Sequence, residues 1–295
     1  MKRLLLPFIL LLPFLGSGQE APGRELTDAD YDSFGASADS IVAEGTRLFR
    51  LEMASWYGTD LFLENFKDRN RIGGYLSYMN DRTPTCIFFS QGESPAILGT
   101  IMFDSTYNVK TATIDLEERK MTAVETDYHQ LRKAGMEFIN SGDTLFKVYD
   151  NTSLNMIPLI HEGRRRMYVL TGPKDNGVVV FGNDYLLEFD NNNRLTSRRR
   201  LHANLIMVKY GKGETGAPEQ VGSMHTHLPE TGNFHTATDI CTLLLYGRFT
   251  NWQQHNVISE NFYTIWDMKK QQLTPITREA LKKINEHQQS KKKNK

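Results

Sequence analysis

The stretch Met224-His225-Thr226-His227-Leu228-Pro229-Glu230-Thr231-Gly232-Asn233-Phe234-His235-Thr236-Ala237-Thr238-Asp239 reads as a strand end, a turn and a helix start. In extended backbone alternate side chains share a face, so His225 and His227 point the same way. Pro229 and Gly232 turn the chain. Thr236, three residues before Asp239 and just ahead of Ile240, Leu243 and Leu244, has the position of an N-cap, with Asp239 at the third helical residue. A helix over Ala237–Tyr246, closed by Gly247, follows from this pattern. Two imidazoles at a strand end are therefore joined by a short loop to a carboxylate at a helix N-terminus.

Working outward, short strands are expected at Leu145–Tyr149, Met156–Ile160, Met167–Leu170, Val178–Phe181, Tyr185–Phe189 and Leu201–Val208. Asn191-Asn192-Asn193 marks a turn, because Asn tolerates left-handed backbone, so Tyr185–Phe189 pairs with the segment from Leu195 as a hairpin. Gly211–Ala217 reads as a loop. Downstream come strands around Val257-Ile258 and Phe262–Trp266 and a last helix from Arg278 to about His287. Upstream, Thr122 with Glu125 is a capping box that opens a helix over Ala123–Ile139. Runs at 75–78, 86–89 and 97–103 read as strands of a meander, and the apolar spacing from Ser40 to Phe66 as one or two helices interrupted near Tyr57-Gly58.

The fold class is α+β, a mixed or antiparallel sheet with flanking helices. The expected organisation is a signal peptide at 1–18, a poorly ordered stretch at 19–38, an α+β N-terminal region at 39–150, a metal-binding domain at 151–288 and a basic disordered tail at 289–295. The leader assignment rests on Met1-Lys2-Arg3, an apolar run from Leu4 to Leu15 and the small residues Gly16-Ser17-Gly18. It implies an exported protein, periplasmic or secreted, with no stable membrane insertion once the leader is cleaved.

The 35 basic and 35 acidic residues cancel, so no global field attracts nucleic acid. Two cysteines, Cys86 and Cys241, cannot build a disulfide scaffold or a multi-cysteine zinc knuckle, although an oxidising compartment would permit one bridge. Any metal is therefore held by His and carboxylates. Two His and one Asp leave a fourth position for water, which is the open arrangement catalytic zinc (Zn2+) needs.

His225-Thr226-His227, a loop and Thr236-Ala237-Thr238-Asp239 resemble the signature of the JAMM (MPN-plus, JAB) metalloproteases, His-x-His, a seven-residue spacer and Ser-x-x-Asp. Here the spacer Leu228–His235 has eight residues, and Thr236 stands in the serine's place. The resemblance implies zinc on His225, His227 and Asp239, a hydroxyl at Thr236 that helps stabilise the tetrahedral intermediate, and an upstream glutamate as general acid/base. Glu162, 63 residues before His225, is nearer the family's separation than Glu188, 37 before it. The implied activity is cleavage of an amide bond in a peptide, isopeptide or cell-wall peptide, with a peptide or protein as substrate.

The alternative is a non-catalytic secreted binding or structural protein that retains a degenerate fold of this kind. His235 is open between a fourth ligand, a supporting contact and a solvent-facing loop residue. His129 and His287 read as solvated helix positions, and His161 and His202 lie on strand-like segments with no partner spacing, so that only folding would bring either to the site. Arg164-Arg165-Arg166 and Arg198-Arg199-Arg200 read as charges that protect strand edges, or as a grip for an acidic substrate.

Overall fold

The computed structural model describes residues 27–211 and 220–293. The segment 1–18 read as a leader lies outside them, as do residues 19–26 and most of the loop read at Gly211–Ala217. Residues 28–38, read as poorly ordered, belong to a helix. Thr27 and Asp30 form a capping box, and helix α1 runs unbroken over Asp28–Asn65. The interruption expected near Tyr57-Gly58 is not there. Gly58 serves close packing instead, since a Cβ at that position would meet the Cys86 Cβ at 2.7 Å.

Strands β1 (Ile72–Asn80), β2 (Thr83–Ser90), β3 (Ile97–Met102) and β4 (Thr113–Asp115) form an antiparallel sheet in sequence order. Helix α2 occupies Ala123–Ile139, capped by Thr122 and Glu125 as expected. Then come β5 (Thr152–His161), β6 (Arg164–Pro173), β7 (Val178–Gly182), β8 (Tyr185–Phe189), β9 (Leu195–Arg200) and β10 (Leu205–Lys209). β5-β6-β8-β9 make a second antiparallel sheet, and β7 pairs with β10. The last unit comprises β11 (Gly222–Thr226), α3 (Ala237–Tyr246), β12 (Gln254–Ile258), β13 (Phe262–Asp267), β14 (Gln272–Thr277) and α4 (Arg278–Lys293). Its sheet runs β11-β12-β13-β14, with β11 parallel to β12 and the remaining pairs antiparallel. The protein is α+β.

Several expectations need correction. Leu145–Tyr149 is not a strand: the Lys147 amide donates to the Tyr185 hydroxyl, and the Leu145 carbonyl accepts from Arg200, so side chains satisfy backbone groups that a ladder would have used. The strand expected over Leu201–Val208 is broken at its start. The Leu201 amide donates to the Asp184 carbonyl and the Asn183 amide to the Asn204 carbonyl, which bends 201–204 towards β7 and carries His202 inward. β14 had no expected counterpart, and α4 continues to Lys293 through most of the segment read as a disordered tail.

The main core does not divide at residue 150. Leu48, Leu51 and Phe62 of α1 pack with Phe88 and Ile101, and also with Ile157, Leu170, Leu186, Cys241 and Leu245. Phe62 and Phe88 stack with ring centroids 3.9 Å apart. α1 also lies close on α3: a Cβ at Gly45 would fall 2.7 Å from the Ala237 carbonyl oxygen. The long helix thus fixes the start of α3, where Thr236 and Asp239 lie. Cys86 and Cys241 are buried and unbonded, and burial pushes the Cys86 thiol up to about 12.

Candidate metal centre

β11 ends at Thr226, and the His227 amide donates to the Ile258 carbonyl, extending the parallel pairing with β12 by one residue. His225 and His227 accordingly project to one side, with Nε2 atoms 2.9 Å apart. Thr236 caps α3: its hydroxyl accepts from the Asp239 amide, and its own amide donates to Asp239 Oδ2 at 2.7 Å. The cap turns Asp239 back towards the strand end. Asp239 carboxylate oxygens lie 3.6 Å from His225 Nε2 and 3.4 Å from His227 Nε2. The three ligands expected from the sequence are thus brought together.

A fourth residue joins them. His202, from the bend between β9 and β10, places Nε2 2.9 Å from His227 Nε2 and 3.5 Å from Asp239 Oδ2. The ligand atoms of His202, His225, His227 and Asp239 all lie within 4.8 Å of one another, and all four residues are buried. This group can hold a metal ion.

Outer contacts orient the imidazoles. Asp184 accepts from His202 Nδ1–H at 2.8 Å and also accepts from the Thr238 hydroxyl, so His202 presents Nε2 inward. His225 Nδ1 lies 2.9 Å from His255 Nε2, and His255 Nδ1 lies 2.7 Å from the Ser223 hydroxyl. Metal binding selects the tautomers in which His225 donates to His255 and His255 donates to Ser223, leaving His225 Nε2 bare. Ser223 and His255 face each other across the parallel β11/β12 register, so strand pairing aligns this relay.

Protonation follows burial and charge. Burial drives His225 down to about 4 and His235 to about 3, so both are neutral near pH 7. Burial also opposes ionisation of Asp239, but the neighbouring His202 and His225 overcome it and hold the carboxyl well below its ordinary value. His202 is the counterpart: burial lowers it, while Asp184 and Asp239 overcome that and raise it well above an ordinary imidazole. Neutral imidazoles beside an ionised carboxylate are the metal-binding forms, and the place that favours a cation is the one an ion would take.

The other sequence candidates lie elsewhere. Glu162 is in the β5–β6 turn at φ +50°, 78% exposed, with His161 Nε2 at 3.4 Å as its ion-pair contact. Glu188, on β8, stands opposite Arg166 in the sheet. Among the described residues no glutamate belongs to the metal-ligand group. The Thr236 hydroxyl is engaged with Asp239 and Thr238. His235 is buried, not a solvent-facing loop residue: its Nδ1 meets the Thr264 hydroxyl at 2.7 Å and its Nε2 has no partner. His129, read as solvated, packs edge-on against Phe89 with centroids 4.7 Å apart.

Sequence reasoning missed His202, Asp184, His255 and Ser223 as members of the site. The only local signal was the His-x-His itself, which requires outer partners for its second nitrogens without saying where they come from. No family model, curated protein or solved structure matches this chain.

Proposed function

We propose that this chain is an exported zinc-dependent hydrolase of amide bonds, in which His225, His227 and Asp239 hold the metal and the Asp184–His202 pair moves the proton. The observation that carries the reading is the convergence of three Nε2 atoms on one carboxylate, with His202 and His225 each held from behind by a further side chain. Nitrogen donors with one carboxylate oxygen suit zinc, and the His-x-His with a capped Asp is the part that resembles the JAMM signature. Zinc held there would supply Lewis acidity and lower the pKa of a bound water towards about 7.

The protein groups then divide the work. Asp184 fixes His202 with Nδ1 protonated; a zinc ion on Asp239 would oppose the second proton that the metal-free site favours on His202, leaving Nε2 to accept a proton and later give it to the leaving amine. In this role the Asp184–His202 pair replaces the glutamate of the resembling family. Thr236 holds Asp239 through the helix cap, and Glu162, out on its turn, takes no step.

A second reading has its own observation. The four ligand atoms lie within 4.8 Å of one another, the number of donors that closes a tetrahedral structural zinc site. His202 would then be a ligand, and the chain a non-catalytic secreted binding or structural protein. The variant His202→Gln separates the two when zinc content and hydrolysis of peptide and isopeptide amides are measured together. With His202 as the base, about one zinc per chain is retained and turnover falls by about 10²- to 10⁴-fold. Loss of the zinc assigns His202 as a ligand, and a zinc-loaded wild type that cleaves none of these amides overturns the hydrolase reading.

A further inference from the structure

Beside the metal centre is a cavity of about 550 Å³ built from three parts of the chain. Its floor is one face of the β6-β8-β9 sheet, where Tyr168, Leu186 and Arg199 stand in one cross-strand row. Period-two alternation along β6 adds Arg164 and Arg166 to the same face as Tyr168. One wall is α1, through Glu44 and Arg47. The other is the loop Thr231–Ala237 that links the metal ligands His227 and Asp239.

The cavity has an excess of positive charge that its own carboxylates do not neutralise. Glu44 is fully engaged: it takes Arg166 at 2.6 Å, accepts from the Tyr168 hydroxyl at 2.8 Å and has Arg47 at 3.7 Å. Glu162 at the rim is turned to His161. Among the described residues Arg164 and Arg199 have no carboxylate within ion-pair distance. Arg199 stands on β9, an edge strand of this sheet, and the arginines on either side of it are absorbed by the fold. Arg198 pairs with Asp143, and Arg200 donates to the Leu145 carbonyl. His235, which lines the cavity, is buried with Nε2 unpartnered.

We propose that this cavity is the substrate pocket of the metal centre and binds an oxyanion, a carboxylate or phosphate group of the substrate, between Arg164 and Arg199. Its assignment to substrate rests on the metal-centre reading above. Two unpaired guanidiniums present the planar donor forks that carboxylates and phosphates accept bidentately. An acidic group held on the sheet face would leave the rest of the substrate to run along the Thr231–Ala237 loop towards His202 and Asp239.

The test titrates inorganic phosphate and, separately, glutarate into the purified full-length protein by calorimetry. The proteins are zinc-loaded wild type, Arg164→Gln, Arg199→Gln and the metal-site variant Asp239→Asn. Binding of at least one anion, weakened about tenfold by each arginine change with zinc content unaltered, is expected. Glutarate alone would point to acidic peptides, and phosphate alone to a phosphorylated substrate. Binding retained in Asp239→Asn places the anion in the cavity rather than on the metal, and binding lost there but unchanged in both arginine variants overturns the proposal. Failure of both anions to bind at about 10 mM overturns it as well. Arginine-dependent binding to a wild type that holds no zinc would sustain the pocket and remove the metal reading.

Discussion

Two of the sheets that lean on α1 are built on opposite principles. Both faces of β1–β3 are apolar: Phe88, Leu98 and Ile101 are buried on the α1 side, Leu76, Ile87 and Ile97 on the α2 side, and shape decides whether they fit. The β11–β14 sheet buries His225, His255, Asn256 and Thr264, with His235 and Asp239 against it. Burying such groups costs several kcal/mol each unless every one finds a partner. In the first sheet stability depends on volume; in the second it depends on who hydrogen-bonds whom, and the proposed metal would complete the set.

The largest expected break in that contrast is Asp239→Ala. It leaves His202 and His225 facing one another without the carboxylate and strips α3 of half its capping box. A loss of about 3–5 kcal/mol for the unpaired buried charge, with about 1 kcal/mol more for the cap, is expected in denaturant unfolding. Zinc should vanish from the same variant. Phe62→Ala is the matching change against the apolar sheet: removing the α1 ring stacked on Phe88 should cost about 3–5 kcal/mol while zinc content stays at the wild-type level. If Phe62→Ala released the metal, the two regions would not be separable in the way described.

Subtler is His255→Gln, which removes the imidazole behind His225 without touching a ligand. Zinc affinity should fall about 10- to 100-fold, measured by competition with a chromophoric chelator. Unchanged affinity would show that His255 only fills space. The smallest effect compares two buried carboxyls. Asp239 is held ionised by imidazoles, whereas Glu52, whose hydrogen-bond partner is Asn155 at 3.3 Å, is pushed up to about 7 by burial. A raised folded-state value means that Glu52 favours the fold most below its ordinary range and that this contribution is lost as pH rises through about 7. Glu52→Gln should flatten that decline in melting temperature between about pH 5 and pH 8.

What could be read from the sequence was local. The capping boxes at Thr122 and Thr236 placed α2 and α3 to the residue, because an N-cap and its third helical position lie within one turn. The hairpin at Asn191–Asn193 was likewise legible, with Asn193 at φ +58°. His225, His227 and Asp239 were legible because strand period and cap geometry already aim them at one point. Elements decided by distant contacts were not. α1 runs through Gly58 because Cys86 packs there, Leu145–Tyr149 gave up strand pairing to Tyr185 and Arg200, and His202 reaches the centre through a bend held by Asp184. None of these leaves a spacing that a linear reading detects, and the same holds for the arginine pair, whose freedom depends on where Glu44 and Asp143 point.

The most direct test of the account is elemental analysis of purified, folded wild-type protein, with folding checked by circular dichroism. About one zinc per chain, removed by chelator with a fall in melting temperature, is the result predicted. A well-folded protein with no metal and a melting temperature indifferent to zinc and chelator alike would contradict it.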